Sequence, residues 1–513
     1  MEDTLYRLVT SRVRLSMSSF CSALFLLLLT TGLVQASTTF PALSSNPNAV
    51  YVMVWPAFNA GGSRNGINTS EGSISAQSVG RLGRLWRTPL PATADSSPVF
   101  AAHVATAHGF KNLLFLTTKA GSLQALDVAN GQVVWHKETK GPNITTSSPA
   151  IDPNWQFVYS YGVDGKVHRY SVGTGAETIN RIWPATMTLM PNDEKGAAAL
   201  NIGNGYLYMT TSGYIGDGGH YNGHAVAVNL ATGRKTVFNV LCSNIHELLD
   251  NNPRDRNYCA SIQAGMWSRG GVVIDPQDGY VYVTSGNGRY NANAGGHDYG
   301  DTVMKLSSDL TRLVDSYTPS TYSSLAANDQ DLGSDAPTIL PTQSRSRTPY
   351  LIVQGGKDNT LRLLNRKNLS NQAHPRPNRV GGELQAVALP QHCDIDTQMT
   401  AWQGPGNQTW VFVANNCGLS AFKVVTDGQG RTFLQLAYTN GTSGSSPLVA
   451  NSVLYVQGTN GVNALSPTTG RVLWNSNKSG AGVGGLHWQS PIVVNGQLYV
   501  PDNNGNVSAF GLK

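Results

Sequence analysis

Gly121-Ser122-Leu123-Gln124-Ala125-Leu126-Asp127-Val128-Ala129-Asn130-Gly131-Gln132-Val133-Val134-Trp135 recurs near the end of the chain as Gly461-Val462-Asn463-Ala464-Leu465-Ser466-Pro467-Thr468-Thr469-Gly470-Arg471-Val472-Leu473-Trp474. Both stretches read as a strand, a tight glycine turn and a second strand ending in Trp. Weaker copies lie at residues 165–183 and 223–238. Upstream of these units comes a Ser-Pro or Ala-Pro step (Pro98, Pro149, Pro337, Pro447, Pro491), then a β run, a turn and a second β run. The second runs fall at 113–118, 157–161, 206–211, 281–285, 351–354, 410–414 and 454–457. Each unit is therefore a four-stranded antiparallel meander. Meanders repeated at ~40–50 residues cannot bury their faces alone, so they close into a ring, an all-β propeller.

The ends of the chain say how the ring closes. The last unit, residues 488–510, stops after its third strand, and Leu82-Gly83-Arg84-Leu85-Trp86 is the missing outer element. An N-terminal outer strand completing the last blade leaves no open sheet edge. Outer strands around Trp86, Trp135, Trp183, Phe238, Val314, Ala386, Leu436 and Trp474 count to eight blades.

Composition agrees. With 55 Gly, 25 Pro, 40% hydrophobic and only 13% charged residues, the chain is turn-rich and globular, which excludes disorder. A net charge of +6 over 513 residues, with no run of Lys or Arg, gives no footprint for nucleic acid. Arg12 and Arg14 precede the apolar run 23–29, and Val34-Gln35-Ala36 offers a cleavage site before Ser37. Residues 1–36 are expected to be a secretory signal, with Met17 an alternative start, and 37–513 a single propeller domain in a secreted or periplasmic protein. No later stretch is apolar enough to span a membrane. Cys242, Cys259, Cys393 and Cys417 form an even set in an oxidising compartment, and proximity pairs Cys242 with Cys259 and Cys393 with Cys417.

The repeat resembles the pyrroloquinoline quinone (PQQ) repeat of the quinoprotein alcohol dehydrogenase-like superfamily over nearly all of residues 37–513, nearest in motif to its polyvinyl-alcohol-dehydrogenase-like members. Trp55-Pro56-Ala57-Phe58 and Ser63-Arg64-Asn65-Gly66 look like that family's entry segment. Its members include PQQ-dependent dehydrogenases and cofactor-free relatives of the outer-membrane barrel-assembly machinery. The dehydrogenases hold a planar quinone and Ca²⁺ over the propeller axis, and a carboxylate takes the substrate's hydroxyl proton. Three segments resemble that site. Val281-Tyr282-Val283-Thr284-Ser285-Gly286-Asn287 implies Asn287 as a metal ligand. Asn328-Asp329-Gln330-Asp331-Leu332-Gly333-Ser334 implies Asp331 as the catalytic base. Gly355-Gly356-Lys357-Asp358-Asn359 implies Lys357 as the contact to the quinone oxygens, and the floor beneath the quinone falls on Trp267.

The chain also departs from the pattern. The family's Ca²⁺-binding Glu should lie in residues 211–217, where Asp217 is the sole carboxylate. There is no vicinal disulfide and no C-x-x-C-H haem attachment motif. Each residue has a plain structural reading too: Asn287 between Gly286 and Gly288 as a left-handed turn, Asp331 in a polar inter-blade loop, Lys357 in a hairpin turn. Gly296-His297-Asp298-Tyr299-Gly300-Asp301 reads as a glycine-rich turn or a Ca²⁺ loop. Two functions follow. One is a PQQ-dependent dehydrogenase of a small-molecule alcohol or polyol, using PQQ and Ca²⁺. The other is a non-catalytic propeller scaffold binding protein or glycan.

Overall fold

The computed structural model describes residues 54–372, 378–480 and 482–513, so the expected signal, residues 1–36, lies outside the described residues. Eight small antiparallel sheets form a ring. Blade 1 runs Val99–Thr106, Gly109–Thr117, Leu123–Asp127 and Val133–Lys137 from axis to rim, and the other blades repeat that order. In blade 8 the three strands Ile492–Val494, Gln497–Asp502 and Asn506–Leu512 take Leu82–Pro89 as their outer strand, with Trp86 opposite Ala509. The expected closure is what the chain does. All eight outer strands occur where expected except in blade 2, where the strand is Ala185–Thr186 and Trp183 lies just before it. Trp183 is fully buried there, packed on Tyr159 with ring centroids 5.1 Å apart.

The Trp and the glycine turn of the repeat are two halves of one contact between blades. Trp86, Trp135 and Trp474 each donate the indole N–H to a backbone carbonyl of the next blade, Val128, Val172 and Leu82 respectively. The ring then covers the neighbour's turn: a Cβ on Gly131 would fall 2.5 Å from Trp86, and one on Gly175 2.7 Å from Trp135. Both glycines also sit at positive φ, where an L side chain is strained. The spacing from glycine to Trp in the sequence thus encodes ring assembly, since a blade's turn receives its predecessor's indole.

The entry segment ties the inner strands together. Val54–Trp55 pairs with blade 1 and Ile67–Asn68 with blade 7. Between them, Pro56 accepts the Ile151 N–H of blade 2 and Gly62 the Ile274 N–H of blade 4. Fully buried Arg64 donates to the carbonyls of Phe58, Ala199, Leu200 and Gly270. A segment that reaches the inner strands of blades 1, 2, 4 and 7 lies across the axis and covers one end of it. The residues that precede the innermost strands line the other end.

Two disulfides are present: Cys242 to Cys259 staples the excursion after blade 3's outer strand, and Cys393, in the connection from blade 5 to blade 6, is tied to Cys417 in the turn between blade 6's second and third strands, with Cα–Cα distances of 6.0 and 5.9 Å. Among the described residues no helix is long and apolar enough to cross a membrane.

Candidate functional site

Asn287 follows the second strand of blade 4, Asp331 precedes the innermost strand of blade 5, and Lys357 follows blade 5's second strand. Those three chain positions lie on the same end of neighbouring blades, and they meet at the Asp331 carboxylate. The Asn287 N–H donates to Asp331 Oδ1 at 2.6 Å, and Lys357 Nζ sits 2.6 Å from Asp331 Oδ2. Asp329 completes the knot, accepting from Asn287 Nδ2 at 2.9 Å and from Lys357 Nζ at 3.1 Å. The Lys357 backbone N–H donates to the Asp331 carbonyl as well. Burial works against the Lys357 ammonium, but Asp331 and Asp329 outweigh it and hold its pKa above the ordinary lysine value.

The glycines here serve close approach. Neither Gly286 nor Gly288 has positive φ, so the left-handed turn expected as the plain reading of Asn287 is not formed. A Cβ on Gly286 would lie 2.1 Å from Asp331 Oδ1, and one on Gly288 2.7 Å from Ala264 Cβ. The Asn287 carbonyl oxygen accepts the Ala264 N–H, while its side-chain Oδ1 is buried without a partner. That orphaned oxygen is the feature a bound cation would relieve.

Trp267 lies beneath Lys357, with Nζ 5.2 Å from its ring centroid, and meets Trp488 edge-on at 6.0 Å. Asp217 is different. It is exposed, its Oδ1 accepts the Tyr221 hydroxyl at 2.7 Å, and no hydrogen bond joins it to Asn287 or Asp331. Tyr221 stands between, its phenol pushed up first by burial and then by Asp217, Asp331 and Asp329. Among the described residues no cluster of three or more His, Cys, Asp or Glu side chains could hold a metal. The loop 296–301 is a structural turn: Asp298 accepts the Cys242 N–H and Asn291 Nδ2, both at 2.9 Å. Buried Asp301 ties the site together, donating its N–H to Gly286 and accepting the Leu332 N–H at 3.0 Å; burial lifts its carboxyl to about 8.

The rest of the funnel was not read from the sequence. A cavity of about 270 Å³ opens beside Trp488, lined among others by Arg269, Asp396, Asn416, Ser445 and His487. Burial raises Asp396 to about 6 and lowers Arg269 to about 10. Asp95 accepts from Lys119 at 3.1 Å, His487 at 2.9 Å and Gln489 at 3.3 Å. Burial pushes its carboxyl up, but His487, Lys119 and Arg269 prevail and hold it below the usual range. A signal was available: Asp95 stands three residues before Pro98 and Trp488 three before Pro491, so aligning the repeats on their Pro steps marks the positions that face the axis.

A family model described as outer membrane protein assembly factor BamB, built on the PQQ-type repeat, matches residues 70–294 and 376–513. The chain belongs to that family. No curated protein sequence matches it. Among solved structures, the quinohemoprotein alcohol dehydrogenase ADHIIG of Pseudomonas putida HK5 is similar, with a TM-score of 0.62 at 14% identity, covering 90% of this chain and 80% of that one. The quinohemoprotein alcohol dehydrogenase of Comamonas testosteroni gives 0.61 at 14%, covering 89% and 80%. A europium-containing methanol dehydrogenase gives 0.60 at 14%, covering 87% and 89%. At such identity the likeness is one of fold, and this member of the PQQ-repeat family takes its function from its site.

Proposed function

We propose that this PQQ-repeat propeller is an exported quinoprotein dehydrogenase that oxidises an alcohol or polyol. The observation that carries the reading is the contact of Asn287, Asp331 and Lys357 above Trp267, four residues from separate segments gathered at one end of the axis. The chemistry of the donor set fits a planar quinone: an indole face below, an ammonium for its oxygens and a carboxylate beside them. When bound, the quinone would supply a two-electron acceptor for hydride from the alcohol carbon.

The chain's own residues do the rest. Asp331 accepts the hydroxyl proton, and its Oδ1 is fixed by the Asn287 N–H so that one oxygen is aimed and the other paired. Lys357, braced by Asp329 and Asp331, keeps a positive charge at the quinone edge. A divalent ion would be held by the buried, unpartnered Asn287 Oδ1 and by Asp331, with Asp217 at the rim. Those are fewer oxygens than the six or more that Ca²⁺ takes, so quinone and water must supply the remainder. Export is supported by the two disulfides, which persist in oxidising compartments.

The test is titration of the purified protein with PQQ and Ca²⁺, then dye-linked oxidation of primary alcohols and polyols. Saturable micromolar binding with turnover supports the reading, and no PQQ binding at that concentration eliminates it. The second reading, a propeller that binds protein or glycan without chemistry, is favoured by one observation: no Glu stands in residues 211–217. It predicts no turnover with any alcohol.

A further inference from the structure

Each of the eight outer strands turns one row of backbone N–H and C=O groups away from the axis, and such a row is a template for another strand. Seven of the eight are guarded. The outer strands of blades 2, 5 and 7, Ala185–Thr186, Gln385–Ala388 and Val472–Asn475, have 2, 4 and 4 residues. Those of blades 1 and 3, Val133–Lys137 and Lys235–Asn239, have 5 each and carry Lys137 and Lys235. Blade 4's outer strand, Leu313–Tyr317, is covered by the next blade's loop, since the N–H groups of Leu369 and Asn378 donate to Asp315 Oδ2 and Ser316 Oγ, both at 2.8 Å. The closing strand of blade 8, Leu82–Pro89, has 8 residues but holds Arg84 and Arg87 and ends in Pro.

Blade 6 is the exception. Its outer strand, Thr432–Asn440, has 9 residues with no charge and no Pro. Gln385 caps the near end, bonding both the N–H and the carbonyl of Leu434 at 2.6 and 3.2 Å. At the far end the Tyr438 hydroxyl and the Asn440 amide reach the Pro467 and Gly470 carbonyls of blade 7. Between these anchors Gln435, Leu436 and Ala437 are exposed, and among the described residues no other blade hydrogen-bonds to them. Val133 and Val472 hold the equivalent place in blades 1 and 7 and are as exposed as Leu436, so length and neutrality single out blade 6. A bulge opposite Ala421 and Phe422 twists the strand, but blades 1, 4, 7 and 8 carry the same bulge.

The missing charges also select the partner. A two-fold axis runs a strand antiparallel to its own copy, so blade 8 would bring Arg84 of one copy near Arg87 of the other, and like charges across a ladder repel. Blade 6's strand holds nothing that repels itself. Centred at Leu436, self-pairing lays the two exposed leucines together and removes both from water. We propose that the protein forms a two-fold dimer in which the Thr432–Asn440 strands of two copies pair antiparallel, joining two blades into one continuous sheet. The contact lies on the rim and leaves both funnels open, so it stands apart from the dehydrogenase reading. A seam of one strand pair is small for a specific interface, which sets the dissociation constant on the order of 10 µM.

Sedimentation velocity of the purified full chain over about 1–100 µM should show a reversible monomer–dimer equilibrium. Leu436→Lys should weaken the dimer by about tenfold or more and leave the thermal midpoint unchanged, because the side chain is exposed in the monomer. Val133→Lys, on the equivalent place of blade 1, should leave the equilibrium within about twofold. Paired strands bring facing Cβ atoms to about 5 Å, so Leu436→Cys should cross-link two copies under mild oxidation, whereas Val472→Cys should not. A monomer throughout that range, a dimer indifferent to Leu436→Lys, or open-ended polymers in place of a dimer overturns the proposal.

Discussion

Replacing Asp331 with Asn separates the catalytic from the structural reading of the site, because the two predict losses of different size in different quantities. The carboxylate makes two contacts, with the Asn287 N–H at Oδ1 and with Lys357 Nζ at Oδ2. An Asn keeps an acceptor for the first and loses the charge for the second. An ion pair near 3 Å is worth roughly 5 kcal/mol gross at an effective dielectric of 20, most of it offset by desolvation of both partners. Lys357 also retains Asp329 at 3.1 Å. The net cost in stability is therefore about 1–3 kcal/mol, small for a domain of this size. Loss of a general base lowers the rate by about 10²–10⁴, or roughly 3–5 kcal/mol in the barrier. Urea unfolding and dye-linked alcohol oxidation in the presence of PQQ read the two quantities on one preparation. Glu247→Gln is the control: its side chain, paired with Arg256, is 57% exposed, and the rate should stay within about threefold. Full turnover in Asp331→Asn, or a loss of activity matched by a loss of folded protein, refutes Asp331 as the base.

Trp86→Ala, which empties a site 9% exposed at the seam between blades 8 and 1, should cost about 3–5 kcal/mol in urea unfolding; under about 1 kcal/mol the closing strand does not carry the ring. Gly175→Ala combines a left-handed backbone with a Cβ 2.7 Å from Trp135 and should cost about 2–5 kcal/mol, whereas Gly109→Ala, at positive φ but with nothing within 4 Å, should cost only about 1–2 kcal/mol; equal costs refute the inter-blade contact. Asp301 keeps a proton in the folded state up to about 8 that the unfolded chain has released by about pH 4, so stability should fall as pH rises through that window. Asp301→Asn should flatten that slope and be more stable than wild type at pH 8 by on the order of a few kcal/mol; an unchanged slope assigns the proton elsewhere.

The ring was legible because its determinants are local. Glycine turn, Trp and Pro step recur at fixed offsets, and a blade needs little else, so blade number, closure and nearly every strand follow from the repeat. Blade 2 was the exception, since Trp183 is spent on packing against Tyr159 and leaves the pairing to Ala185–Thr186. Asn287, Asp331 and Lys357 were singled out by family resemblance, and their contact could not be had from spacing, because it depends on which ends of adjacent blades face the same way. Arg269, His487 and Asp95 went unread for the opposite reason: each stands alone in its segment, and only the eightfold ring makes them neighbours.

That distinction bears on the carboxylate missing from residues 211–217. Glu194 pairs across the sheet with Gly213, so a carboxylate does stand beside the stretch where the family's Glu is expected, contributed by the neighbouring strand. It is committed elsewhere. Glu194 is fully buried, accepts from the Thr188 hydroxyl and from the Asn222 N–H at 2.9 Å, and lies 3.8 Å from His224 Nδ1. Burial raises its pKa in spite of those contacts. A carboxylate so enclosed steadies the strands beneath Tyr221 and is no free ligand for an ion at Asn287. If a cation binds, its charge must therefore be met by Asp331 and by oxygens that the bound ligand itself brings.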